Sequence, residues 1–160
     1  MKKLLLPIIS IMLLFSLASC SGNNYTDTKS AQDVASAVAS SITTEGGTKT
    51  LDNDAILEIS DIELSYLKDF VMIRANNTKN INEYGIFRVE NGKAEDMKKL
   101  ISTYVENKQK TYRAMDYFPE ETEKIDCAKV EVFGNYVVYS FLNENDTEAF
   151  HKAIKDCITK

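Results

Sequence analysis

The sequence predicts an α+β domain: a four-stranded antiparallel sheet with helices packed on one face, preceded by an N-terminal helix. Three observations carry that expectation. Branched and aromatic residues cluster or alternate with a period of two near 66–75, 84–89, 128–133 and 136–142. Apolar residues recur at helical spacing near 30–43, 94–113 and 146–157. The order strand, strand, helix occurs from 66 to 113 and again from 128 to 158, a repeat of element order and not of matching residues.

The chain opens with a segment of a different kind. Lys2 and Lys3 make a charged start, Leu4 to Phe15 is apolar with one proline at Pro7, and Leu17-Ala18-Ser19-Cys20 ends it with small residues and a cysteine. Its apolar core is too short for a permanent span, which needs roughly 20 residues. The pattern is that of a bacterial lipoprotein export signal. Residues 1–19 are then a signal peptide, and cleavage before Cys20 leaves its thiol carrying a diacylglyceryl group. Two acyl chains suffice for stable membrane attachment. The alternative is an ordinary secretory signal in which Cys20 is incidental. On the first reading residues 20–28 are the lipidated cysteine and a flexible polar tether, and 29–160 are one domain. Ser21 follows the cysteine, with no aspartate there to mark inner-membrane retention.

Within the body, Ser30 and Asp33 make a capping box for a first helix, which Gly46-Gly47 would end. Asp52 or Asn53 can cap a short helical segment through Leu57. Tyr66 to Ala75 reads as a central strand covered for part of its length on both faces. The polar run Asn76 to Asn80 makes a turn into Tyr84 to Val89, where Gly85, Phe87 and Val89 share one face. The longest helix, 94–113, presents Met97, Leu100, Ile101, Tyr104 and Val105 on one stripe. Pro119 and the glutamates after it start a short acidic helix. Gly134-Asn135 then turns one strand into the next. Asp146 is expected to cap the last helix, with Ala149, Phe150, Ala153, Ile154 and Cys157 on its inner face.

The run Glu83-Tyr84-Gly85-Ile86-Phe87-Arg88-Val89, the helix opening Ala94-Glu95-Asp96-Met97 and ending Asn107-Lys108-Gln109-Lys110, the stretch Tyr117-Phe118-Pro119-Glu120-Glu121 and the hairpin Val132-Phe133-Gly134-Asn135-Tyr136-Val137 resemble a family of uncharacterised bacterial lipoproteins. It is the domain-of-unknown-function family numbered forty-three fifty-eight. The resemblance spans about residues 30 to 158 and implies a small anchored domain. It implies no activity and no site residues, and Cys127 and Cys157 stand where the family leads us to expect no fixed cysteines.

The charges and cysteines narrow the function further. Net charge is −5, and loss of Lys2 and Lys3 with the leader moves it to −7, which argues against nucleic acid as a partner. Cys127 and Cys157 would sit at opposite ends of the layer, apart by a six-residue strand of about 20 Å, whereas bridged cysteines need Cα atoms within about 7 Å. Two unpaired, buried or half-buried thiols are expected. His151, the one histidine, falls beside the buried stripe and reads as a surface or edge residue. Three acidic groups, Asp52-Asn53-Asp54, Glu120-Glu121 with Glu123, and Asn143-Glu144-Asn145-Asp146, could suggest a hard cation. Each stands at a helix start, where capping explains it, so no metal or cofactor site is assigned.

Tyr66, Tyr84, Tyr136 and Tyr139 fall on predicted strands. On a sheet face away from the helices they would form an aromatic docking surface; the other reading is that tyrosine suits half-buried strands. No catalytic residues stand out. The expectation is a non-enzymatic binding or structural-interaction module, extracytoplasmic and held to the membrane through acylated Cys20, with an envelope protein or polymer as its possible partner. The alternative is a cell-envelope hydrolase using paired carboxylates such as Glu120 and Glu121.

Overall fold

A computed structural model describes residues 24–115 and 121–160. The signal segment, Cys20 and residues 117–120 of the acidic stretch, Glu120 among them, lie outside the described residues. The strands are β1 Thr48–Thr50, β2 Leu67–Ala75, β3 Glu83–Val89, β4 Lys129–Phe133 and β5 Tyr136–Phe141, and they form one antiparallel sheet in the order β1-β2-β3-β5-β4. Around it stand α1 Ala31–Val38, α2 Ala94–Met115, α3 Thr122–Asp126 and α4 Glu144–Ile158. The α+β class is as expected; the strand count is five and not four. The added strand, β1, is three exposed residues without an apolar member, paired with β2 from Ile73 to Ala75.

The helices do not share one face of the sheet. Val71, Ile73, Tyr84, Ile86, Tyr136 and Val138 turn toward α1 and α4, where they meet Val34, Val38, Phe150 and Ile154. The alternate residues Met72, Phe87, Val89, Val137, Tyr139 and Phe141 turn toward α2 and meet Met97, Ile101, Tyr104 and Val105. A 3-10 segment, Asn53–Glu58, adds Ala55 and Ile56 to that second core. The connections explain the arrangement. Both β3 and β4 run antiparallel to β5, so they are parallel to each other. The chain between them must cross over β5, which commits α2 to one face. The helix after β5 joins α1 on the other. Burial on both faces also explains why every residue of β5 is buried and why period-two alternation is weak there.

Local signals hold with corrections. The Ser30–Asp33 capping box is present in both directions, and α1 gives way at Ala39 to a short 3-10 turn. Gly46 and Gly47, at φ 79° and 76°, do not stop that helix. They turn the chain into β1, with Gly47 donating to the Thr44 carbonyl at 3.0 Å and accepting from Asn76 at 3.0 Å. The cap of α4 is Asn143 and not Asp146: the Asn143 side chain accepts the Asp146 N–H at 2.8 Å. Cys127 and Cys157 are unpaired and half-buried.

Residues 24–28 also depart from a free tether. Tyr25 pairs with Thr159 as an antiparallel bridge, and its ring meets Phe133 edge-on at 6.0 Å between centroids. Thr26 donates to the Ile158 carbonyl at 2.6 Å, Lys160 donates to the Asn24 carbonyl at 2.8 Å, and Asp27 pairs with Lys68. Backbone pairing and the half-buried Tyr25 ring against Phe133 bring the start of the domain forward to Asn24.

Candidate functional site

A buried carboxylate lies between β3, β5 and α2. Glu83, Gly85, Phe87 and Val89 alternate along β3 and so face α2 together. Gly85 pairs with Tyr139 of β5. A Cβ at position 85 would stand 2.3 Å from the Tyr139 ring, so only glycine lets that ring lie across the strand. Its hydroxyl then reaches Glu83 Oε1 at 2.8 Å. From α2, Tyr104 and Lys108 project side by side, four residues apart. The Tyr104 hydroxyl donates to Oε1 at 2.8 Å, and Lys108 Nζ reaches the two oxygens at 2.6 and 2.5 Å. Arg74 of β2, across the strand pair from Glu83, donates through Nε to Oε2.

Glu83 is 1% exposed, and its surroundings hold its proton off. Burial alone would raise its pKa, but the charges of Lys108 and Arg74, with hydrogen bonds from Lys108 and Tyr139, outweigh burial and keep it below the usual carboxylate value. Burial also weighs on Lys108 and lowers its pKa despite Glu83. The two directions oppose each other, and the carboxylate is the better compensated member because it has Arg74 as well. Burial and the neighbouring Glu83 raise the hydroxyls of Tyr104 and Tyr139. The same causes push Tyr112 up to about 12. The cluster therefore sets an ionised carboxylate, held by two cations, against two hydroxyls whose protons burial and charge retain.

Glu58, 44% exposed along its side chain, forms the rim. It accepts from Arg74 at 3.1 Å and lies 3.9 Å from Lys108. Two open cavities, of about 230 and 370 Å³, meet at Glu58 and Lys108. One runs along α2 past Thr103, Asn107 and Thr111. The other runs toward the loop after β2, past Arg74, Asn76 and Asn80. Together they make a shallow, open cleft of mixed polar and apolar lining with paired charges at its centre, poorly suited to enclosing a small molecule.

The residues singled out in the sequence are scattered. His151 is buried, not at the surface. Only 6% exposed, it stands with Nδ1 at 3.6 Å from Glu131, between the rings of Phe133 and Phe150, and burial lowers its pKa against the pull of Glu131. Glu121 accepts the Ile81 N–H at 3.0 Å and the Lys124 ammonium at 2.7 Å. Burial, with Glu123, Glu144 and Asp126 nearby, raises the Cys127 thiol, which disfavours the nucleophilic thiolate. Of the three acidic groups, Asn143 caps its own helix and Glu123 accepts the Glu144 N–H at the start of α4 at 3.2 Å, whereas neither Asp52 nor Glu121 makes a side-chain bond at its own helix start.

No tyrosine-bearing open face exists among the described residues. Tyr84 and Tyr136 are buried under α1 and α4, and Tyr139 is buried under α2. Tyr66 precedes β2 in a 3-10 turn, with Lys93 Nζ 4.2 Å from its ring centroid. Sequence reasoning missed Glu83. Its one local signal is the shared alternation with Gly85, Phe87 and Val89, an acidic residue in register with a buried face.

A family model described as Domain of unknown function (DUF4358) matches residues 40–142. That stretch takes in Glu58, Arg74, Glu83, Tyr104, Lys108 and Tyr139, every member of the buried cluster and its rim. No curated protein and no solved structure matches the chain.

Proposed function

The chain belongs to this family of domains of unknown function, so its role has to be argued from its own residues, and we propose that it is a lipid-anchored, extracytoplasmic module that binds or organises a partner without turning over a substrate. The anchor half of the proposal rests on Leu17-Ala18-Ser19-Cys20. The non-enzymatic half is carried by one observation, the saturation of Glu83. Bonded to Arg74, Tyr104, Lys108 and Tyr139, that carboxylate has no free position for a substrate or a water. Glu121, the described member of the pair that a carboxylate hydrolase would use, is likewise engaged by Ile81 and Lys124.

The test has two parts. Cells grown with labelled palmitate should incorporate label into the wild-type protein and not into Cys20→Ala, and the variant should leave the membrane fraction. Label on the variant, or its retention at the membrane, would reject the anchor. Photocrosslinkers placed at Asn107 and Asn76, one on each limb of the cleft, should capture a specific envelope protein or polymer on intact cells. Release of soluble fragments from purified envelope by the wild-type protein, lost in Glu121→Gln, would favour the hydrolase instead.

A further inference from the structure

We propose that the anchored domain stands with one defined pole on the lipid headgroup layer, and that its Glu58–Lys108 cleft points away from the membrane. The inference rests on the lipid-anchor reading and adds an orientation to it. Four residue steps separate Cys20 from Asn24, and even a fully extended chain covers at most about 14 Å in that number. Whatever path residues 21–23 follow, Asn24 cannot move farther than this from the acylated sulfur's own residue. Asn24 is not free to swing, because its carbonyl receives Lys160 and the next two residues pair with Ile158 and Thr159.

That start marks a pole of the molecule. A Cβ at Gly134 would meet Tyr25 at 3.1 Å, so the β4–β5 turn lies beside it. Asn135 donates to Asp27 at 3.1 Å and to Asn91, just after β3, at 2.6 Å. The chain ends, the β4–β5 turn and the exit of β3 therefore share one end of the sheet. The cleft belongs to the other. Its Arg74 and Glu83 are cross-strand partners at the end of β2 and the start of β3, and Glu83 also pairs with Phe141 at the end of β5. From Glu83 to Val89, β3 alone separates the two ends by about 20 Å. This exceeds the reach of the anchor, so the domain cannot invert to stand on its far pole without breaking the pairing of residues 24–26.

The chain has no tryptophan, so a single introduced one reports position. The mature chain from Cys20, carrying Cys127→Ser and Cys157→Ser, is coupled through Cys20 to a maleimide-bearing lipid in phosphatidylcholine vesicles whose headgroups carry a nitroxide quencher. Lys160→Trp reports the near pole and Thr78→Trp, in the exposed loop after β2, the far one. Lys160→Trp emission should fall about twofold or more with the quencher within about 14 Å, and Thr78→Trp emission should hardly change. Equal quenching, or stronger quenching of Thr78→Trp, would overturn the orientation. A Gly-Ser insertion of about ten residues after Ser21 should erase the difference; a difference that persisted would reject the short span as its cause. Because this coupling is chemical, equal quenching would leave the natural anchor standing, whereas intact-mass analysis showing an unacylated Cys20 in cells would remove both.

Discussion

Glu83 shows how one residue can be exposed to almost no water and still be ionised. Its negative charge is tolerated because two cations and two hydroxyls converge on it, and removing that charge strands the cations. Glu83→Gln keeps the shape and loses the charge, leaving Lys108 undercompensated and Arg74 with Glu58 alone. The expected loss is about 3–5 kcal/mol of stability, read as a lower urea midpoint with an unchanged slope. Position 83 is legible as an inward-facing residue, since it keeps step with Gly85, Phe87 and Val89. Its bonding partners are not legible, because they stand 9, 21, 25 and 56 residues away and no periodic pattern ties them to it. His151 fails for a different reason. It follows the stripe residue Phe150 by one place, which on an isolated amphipathic helix would turn it outward, but α4 packs against both α1 and the sheet, and its buried arc is wide enough to include it.

At the scale of elements, strands and helices long enough to carry a pattern are legible to within a few residues at their ends. β1 is not, because Thr48, Lys49 and Thr50 are all exposed and have no pattern to offer. The side of the sheet chosen by each helix is hidden as well. It follows from strand order, which a helical stripe does not encode: α2 and α4 have stripes of the same kind and lie on opposite faces. Helix ends compete within polar runs, as Asn143 and Asp146 do. The hydrogen bond from the Asp146 N–H identifies Asn143 as the cap, so Asn143→Ala should destabilise the protein by about 0.5–2 kcal/mol, seen as a lower thermal midpoint, and Asp146→Ala by less. The sheet has two edges, the short β1 and β4; on β4, Lys129 and Glu131 pair with each other and discourage a further strand from joining.

For the whole molecule, Asp27, Asp33 and Glu131 also have lowered pKa values, but the two buried groups, His151 and Glu83, mark separate stages of the response to acid. The buried His151 has its pKa lowered by burial, against Glu131 and with Lys129 and Lys155 adding to the lowering, so the unfolded chain takes up a proton first as pH falls. That group therefore costs stability below its ordinary 6.5, with a slope of at most about 1.4 kcal/mol per pH unit. Glu83 acts lower down. Its folded pKa lies below the unfolded one, so its contribution is present above about 4.5 and is lost as pH drops through the folded value. Urea midpoints should decline in two stages from neutral pH. His151→Leu should flatten the first stage, between about pH 7 and 5, and leave the second in place.

The pairing of Asn24–Thr26 with Ile158–Lys160 makes the domain a nearly closed ring of chain, whose opening point is a matter of gene order more than of architecture. A few glycines could join Lys160 to Asn24, and new ends could be cut in the exposed loop near Thr78, with the sheet retained. Such a permutant should keep the wild-type circular dichroism spectrum. Carrying a lipid at its new start, it would stand on the membrane upside down, with the cleft pressed toward the headgroups and hidden from any partner that the native arrangement can meet.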